Sequence, residues 1–402
     1  MGPILPNNLL LKAADEFGTP LYVYDADRIT FQYEQLRQAF RRSDVKIFYA
    51  CKALTNINIL RILEKMGSGI DCVSINEVQF ALKAGFSPDR IIFTPNSVGL
   101  DEYLEATALK VNINIDNLDL LAQFGNHFGN TYPVIIRLNP HIMAGGNLKI
   151  STGHVDSKFG ISIDQIELIK DVVAKTNIAV KGIHIHTGSE IKDVEVFVRG
   201  LELMLDLASY FPDLSVIDLG GGFKVPYKPD EKGTDMEALG ERLAETFEKH
   251  TALTGKRFQV WFEPGKFLVS ECGYFLVKTN IIKDSPARTF VGVDSGFNHL
   301  IRPMFYDAYH KISNISNPTG AINTYNVVGN ICETDTFAWD RELNDVRPSD
   351  ILLFNNAGAY GFEMSSRFNS RTRPAEVLVT KGEFKLIRRR ETLDDLLEGI
   401  IL

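Results

Sequence analysis

Short apolar runs alternate with amphipathic segments along most of the chain. Eight runs read as strands: residues 46–50, 69–73, 90–94, 111–115, 133–138, 180–186, 214–219 and 258–263. Seven of them lead into segments whose apolar residues recur at three- and four-residue spacing, as in a helix with one buried face. Residues 58–66 and 77–84 show this best, and Gly85 supplies a helix stop to the second. Regular β–α alternation predicts a parallel sheet. Eight such units in about 220 residues predict an α/β fold of the (β/α)8 barrel type, with a doubly wound sheet as the alternative. Beyond residue 270 the pattern changes. Residues 274–282, 289–293, 324–328, 350–354, 376–379 and 384–387 read as strands, and only 392–398 reads clearly as helix. This predicts a mostly-β C-terminal domain. Residues 20–24 form one more strand, placed to join that sheet from the other end of the chain. The expected organisation is therefore 1–28 packing with the β domain, 29–268 as the barrel, and 269–402 as the C-terminal β domain.

Composition agrees and narrows the chemistry. A length of 402 residues suits two or three domains at roughly 150 residues each. Hydrophobic residues make up 45% and charged residues 23%, which excludes a disordered or collagen-like chain. The formal net charge of −8 argues against nucleic acid as the main partner, because phosphate contacts need a Lys/Arg surface. An anionic ligand in a pocket remains open. The four cysteines, Cys51, Cys72, Cys272 and Cys332, form no CxxC pair and have no His at zinc-ligand spacing. They read as reduced thiols of a cytoplasmic protein. The first residues lack a basic start with an apolar core, so no secretory leader is expected. No apolar run reaches about 18 residues, so no membrane span is expected.

A barrel carries its chemistry at the C-terminal ends of its strands. The first strand ends at Lys52, the sixth in His184-Ile-His186-Thr-Gly-Ser189, the seventh in Asp218-Leu-Gly220-Gly-Gly222, and the eighth in Glu263-Pro-Gly265-Lys266. Each has two readings. Lys52 is a solvated lysine, or an amine whose burial lowers its pKa and readies it for a Schiff base. His184 and His186 share a strand face, as a metal pair or as rings against a flat cofactor. Gly220, Gly221 and Gly222 form a turn, or a backbone cradle for an anion. Glu263 pairs with a surface lysine, or holds a protonated ring nitrogen. No GxGxxG or Walker motif accompanies them. The second set of readings together describes pyridoxal phosphate.

Seven further-reaching matches then fall in order along the chain. In the barrel they are Tyr49-Ala-Cys-Lys52-Ala, His184-Ile-His186-Thr-Gly-Ser189, Gly220-Gly-Gly-Phe223 and Glu263-Pro-Gly265. In the second domain they are Ile301-Arg302-Pro-Met-Phe-Tyr306, Gly329-Asn-Ile-Cys332-Glu333-Thr-Asp335 and Ala357-Gly358-Ala-Tyr360, with Asn369-Ser-Arg-Thr-Arg-Pro374 also in place. With them the chain resembles the alanine-racemase-fold family of pyridoxal-phosphate-dependent amino-acid decarboxylases, from about Pro20 to Val379. The resemblance implies pyridoxal 5'-phosphate bonded to Lys52 and stacked under His186. It implies a phosphate held by Ser189, Gly220 to Gly222 and Tyr360, with Gly265 beside it, and a ring nitrogen paired with Glu263. Cys332 is implied as the acid that returns a proton after carbon dioxide leaves. A homodimer is implied too, in which Cys332 and Glu333 reach the neighbouring subunit's site.

The branch it resembles most acts on meso-2,6-diaminopimelate and yields L-lysine, the last step of lysine biosynthesis. Chemistry favours that substrate as well. Its far end carries a carboxylate and an ammonium, which call for a guanidinium and an acid; Arg302 and Glu333 suit them, with Tyr306 and Tyr360 as hydroxyl donors. A site for ornithine needs only the acid, and a buried cation there would repel it. The alternatives are decarboxylation of ornithine, lysine or arginine, racemisation, a binding-only homologue, and a metal-dependent hydrolase using His184 and His186. One departure stands out: Lys266 occupies a position where the family usually has Arg, which keeps the charge and loses the two-pronged fork. It is expected to contact substrate or phosphate. Residues 141–147 and 158–161 are expected to form a loop over the barrel mouth.

Overall fold

The computed structural model describes residues 2, 4–142 and 157–401, and within them the chain divides into two compact units. One comprises residues 32–225 and 232–267, the other residues 1–31, 226–231 and 268–402. The strands in chain order are β1 (Leu21–Asp25), β2 (Val45–Ala50), β3 (Gly69–Cys72), β4 (Ile91–Phe93), β5 (Asn112–Ile115), β6 (Val134–Asn139), β7 (Ile161–Ser162), β8 (Val180–Ile185), β9 (Val216–Asp218) and β10 (Gln259–Phe262). They continue with β11 (Gly273–Asp284), β12 (Thr289–Val293), β13 (Ile312–Asn314), β14 (Ile322–Val328), β15 (Thr336–Asn344), β16 (Ile351–Phe354), β17 (Ala375–Thr380) and β18 (Glu383–Arg388).

The first unit is the parallel barrel that the alternation predicts. Its order is β5-β4-β3-β2-β10-β9-β8-β6, closed by pairing of β5 with β6. The short β7 adds to the end of β6, with Leu138 opposite Ile161. Residues 143–156, the middle of the expected mouth loop, lie outside the described residues. Several barrel helices begin at a polar cap: Asn56, Ser74, Asn117, Asp193 and Asp235 each accept a backbone N–H of the first turn.

Phe48, Ile92, Ile135, Val216 and Trp261 form the apolar floor inside the barrel, with the Phe48 and Trp261 rings 4.5 Å apart. The floor closes over small residues: glycine stands against the Phe48 ring and against Ile135 and Val216. A Cβ on Gly69 would overlap the Phe48 ring, and one on Gly182 would lie 3.2 Å from Ile135. Small residues facing large ones is how a barrel interior fills without voids.

The second unit is a sheet ordered β15-β14-β12-β11-β1-β17-β18, with β16 paired to β11 and β13. β1 lies inside it, antiparallel to β11 and parallel to β17. The helix Asn7–Phe17, absent from the sequence expectation, packs Leu10, Ala13 and Ala14 against Leu21, Val23, Leu276 and Val377. β13 and β15 were also not expected. The second half of β15, Asp340-Arg-Glu, is polar and obscures its strand pattern, while Phe337 and Ala338 bury the first half.

Candidate active site

Side chains alternate along a strand, so the residues two steps beyond the barrel floor point into the same interior. Counting two on from Gly69, Ile92, Asn112, Ile135, Gly182, Val216 and Trp261 gives Asp71, Thr94, Asn114, Arg137, His184, Asp218 and Glu263. All seven are buried. The barrel therefore changes within one residue pair from an apolar floor to a polar layer at its mouth. Lys52 and His186 follow at the ends of β2 and β8.

The polar layer has a definite order. Lys52 Nζ lies 3.8 Å from Asp71 Oδ2. Asn114 Nδ2 lies 2.8 Å from His184 Nδ1, and His184 Nε2 lies 3.4 Å from Glu263 Oε2. Arg137 is buried among Glu263, Asp116, Asp71 and Asp218, and its guanidinium sits 4.8 Å from the Phe159 ring. It stays charged despite its burial.

Burial, followed by Arg137 and Lys52, pushes the His186 pKa well down, and burial also lowers that of His184; both rings are neutral. The carboxyls divide their tasks. Burial and then the charge of Glu263 push Asp218 well above the carboxylate range, and burial with the same charge raises Asp71 to about 7. Burial alone would raise Glu263 too, but the adjacent His184 and the charge of Lys52 outweigh it and hold Glu263 below the usual carboxylate range. Glu263 is thus the carboxyl favoured to carry the negative charge, and Asp218 the one shifted toward its neutral form.

Gly220 and Gly222 adopt φ of 65° and 97°, open to glycine at little cost. A Cβ on Gly221 would run into the Glu263 carbonyl, and one on Gly222 into the Gly188 carbonyl. The glycines are thus needed for packing as well as for any anion. The Gly220 N–H donates to Asp218 Oδ1 at 2.9 Å, and the Gly221 N–H to His186 Nδ1 at 3.3 Å. The latter fixes the proton of neutral His186 on Nε2. Ser189 and Glu190 lie in the loop after β8. Lys266 opens the short helix Lys266–Val269 and pairs with Glu190, whose other oxygen lies 3.8 Å from Lys224 Nζ.

Arg302, Tyr306, Cys332, Glu333 and Tyr360 belong to the β unit. Arg302 is buried, donates to the Tyr227 hydroxyl at 2.7 Å and lies 4.8 Å from that ring; Tyr227 in turn meets Ser270 at 3.1 Å. Cys332 and Glu333 are exposed at the tip of a turn whose base is buried. Asp335 builds that base by accepting the Phe297 and Ile331 N–H groups at 2.8 and 3.0 Å. Tyr360 has φ of 55° and is half-buried.

Asp71, Asn114, Arg137, Glu190 and Tyr227 were not singled out from sequence, and Asp218 was named only as the start of the strand end that leads into Gly220. A signal existed for Asp71, Arg137 and Asp218, each a polar residue two positions after a small or apolar inward residue in an otherwise apolar strand; Asn114 follows another polar residue, Asn112, which masks it. Glu190 and Tyr227 sit in loops, where no periodicity marks them.

The donor set suits pyridoxal phosphate on one observation above all. Glu263 Oε1 is buried and meets no hydrogen-bond donor among the described residues, beside a lysine amine and a neutral, flat imidazole. A protonated ring nitrogen is the donor that position calls for.

Comparison with known proteins leads the same way. Residues 26–270 match the family of pyridoxal-dependent decarboxylases, in its pyridoxal-binding domain. A diaminopimelate decarboxylase of Methanothermobacter thermautotrophicus is 40% identical over 97% of this chain and 93% of its own length. One of Aquifex aeolicus is 35% identical over 97% and 93%. A crystal structure of the M. jannaschii diaminopimelate decarboxylase in complex with L-lysine superposes with a TM-score of 0.90 at 31% identity, covering 98% of this chain and 94% of that one. A lysine/ornithine decarboxylase of Vibrio vulnificus, 22% identical with a TM-score of 0.82 over 94% of this chain and 99% of its own, shares the fold. The chain belongs to the pyridoxal-dependent decarboxylases, in the group formed by the diaminopimelate decarboxylases.

Proposed function

We propose that the protein removes one carboxylate of meso-2,6-diaminopimelate as carbon dioxide and yields L-lysine, with pyridoxal phosphate as cofactor. The buried, donorless Glu263 Oε1 carries this reading, in a chain 40% identical to a curated enzyme of that name. Pyridoxal phosphate, when bound, supplies an electron-accepting ring that stores the electron pair left by a departing carboxylate.

Lys52 supplies the amine that bonds the cofactor and yields to the substrate amine. Asp71, 3.8 Å away, steadies its charge before that exchange. His186 offers a neutral face to the ring, and Glu263 holds the ring nitrogen protonated. Ser189, the Gly220–Gly222 backbone, Gly265 and Tyr360 hold the phosphate. Arg302 takes the distal carboxylate and Glu333 the distal ammonium, assisted by Tyr306 and Tyr360. One of Arg302's five N–H donors is committed to Tyr227, which leaves a fork for a carboxylate. Lys266 contacts substrate or phosphate as a point charge.

Cys332 returns a proton to the carbon that lost its carboxylate. Its exposure, with Glu333, on a turn tied down by Asp335 supports delivery to the barrel of a second copy, so the working unit is a homodimer. None of Cys51, Cys72, Cys272 and Cys332 forms a disulfide, in keeping with a reducing, cytoplasmic setting. Among the described residues no helix is long and apolar enough to cross a membrane.

The test is the absorbance spectrum of the purified protein with and without meso-diaminopimelate. A visible cofactor band that changes on adding substrate, and is lost in Lys52→Ala, supports the assignment. A Lys52→Ala protein that still turns over would refute it.

A further inference from the structure

The polar layer contains a buried chain of side chains that the proposed chemistry leaves without a task. Asn114 Nδ2 approaches His184 Nδ1 at 2.8 Å, and His184 Nε2, which makes no hydrogen bond among the described residues, lies 3.4 Å from Glu263 Oε2. Asn114 and His184 are each 1% exposed, and Thr94 Oγ1, 3.4 Å from the same Asn114 nitrogen, closes the far end.

The order of protons along this chain follows from its ends. An ionised carboxylate only accepts, so the ring nitrogen facing Glu263 carries the proton. The groups facing the ring are Lys52 from β2, Asp71 from β3, Arg137 from β6, His186 beyond β8, Asp218 from β9 and Glu263 beyond β10. Burial outweighs the pull of Glu263 and, with Arg137 and Lys52, disfavours a second proton on the ring. A neutral imidazole protonated at Nε2 has a lone pair at Nδ1, and the Asn114 amide is the donor that meets it. In the other tautomer, Nδ1–H would oppose an N–H donor and the Nε2 lone pair would oppose a carboxylate.

We propose that Asn114 is a positioning residue: by donating to His184 Nδ1 it holds the neutral imidazole with its proton on Nε2, and so turns that N–H toward ionised Glu263, 3.4 Å away, where it steadies the carboxylate facing the cofactor's ring nitrogen. This rests on the role proposed above for Glu263. A neutral donor steadies the carboxylate without adding a charge that would compete with the ring nitrogen for it.

The experiment loads wild type and Asn114→Leu with pyridoxal phosphate and, separately, with the analogue that has carbon in place of the ring nitrogen. It reads the visible absorbance against pH, together with kcat and KM. In Asn114→Leu the absorbance midpoint is expected to move by about one pH unit, the scale of one hydrogen bond to a charged group. The kcat is expected to fall on the order of 10-fold with KM little changed, as for other supporting partners of a reactive group. With the carbon analogue the fall should vanish, because Glu263 then has no ring proton to hold. An unmoved midpoint, or the same fall with both cofactors, overturns the proposal. Wild type working equally well on both overturns the Glu263 role itself, and the proposal with it.

A second route covers poor folding of that variant. In His184→Gln the glutamine amide donates to Glu263 whatever lies behind it, so adding Asn114→Leu should cost little. A full additional loss in that background contradicts the proposal.

Discussion

Two lysines at the barrel mouth answer to different acids. Lys52 lies 3.8 Å from Asp71, whereas Lys266 is paired with Glu190, which Lys224 also approaches at 3.8 Å. Asp71 makes a pH prediction. Its folded-state pKa of about 7 stands above its unfolded value, through burial and then the Glu263 charge. The folded protein therefore holds a proton that the unfolded chain releases near pH 4, roughly. The stability contributed by that proton is complete below about pH 4 and disappears as the pH rises through 7. Melting temperatures of the cofactor-free protein should therefore fall less steeply between pH 4 and 7 in Asp71→Asn; an unchanged slope contradicts the assignment. Glu190 makes a second prediction. Glu190→Gln removes a negative charge beside the proposed phosphate cradle, so pyridoxal phosphate should bind the apoprotein several-fold more tightly, most clearly at low salt. Weaker binding would mean that Glu190 instead holds the lysines in place.

At the scale of elements, the barrel depends on a fit between floor rings and glycines on neighbouring strands. Gly69→Ala puts a methyl group into the Phe48 ring, which is packed on Trp261 and has nowhere to move. A loss of about 1–3 kcal/mol is expected from such overpacking. Denaturant unfolding of Gly69→Ala and of Gly69→Ala with Phe48→Leu checks it, since the smaller side chain should restore part of the loss. The eight barrel strands were legible from sequence because apolar runs and helical spacing alternate without interruption. Lys52, His186, the three glycines and Glu263 were legible because each ends a strand. Asp71, Asn114 and Arg137 were hidden inside strands, and only the inward phase, fixed by the floor residues, separates them from ordinary polar positions. β15 escaped because its second half is polar and exposed, and the helix Asn7–Phe17 because its cap is Pro6, with no side-chain acceptor to mark a start.

At the scale of the whole molecule, the proposed dimer has a direct consequence. If Cys332 serves the partner's barrel, Lys52→Ala and Cys332→Ala are each inactive alone, yet mixing them leaves one intact site in each mixed dimer. Random re-association should then restore about a quarter of wild-type activity. No recovery on mixing would place Cys332 in its own subunit's chemistry or outside it. Net charge, awkward at first for an anionic cofactor and a dicarboxylate, ceases to matter at this scale. The cations proposed to bind them, Lys52, Lys266 and Arg302, are local, and the surrounding acids are buried or paired. The assignment itself is tested most directly by carbon dioxide release from carboxyl-labelled amino acids offered singly to the purified holoenzyme. Labelled carbon dioxide and L-lysine from meso-diaminopimelate, with none released from ornithine, arginine or lysine, is the predicted result. Release from any of those three, with none from meso-diaminopimelate, would contradict it.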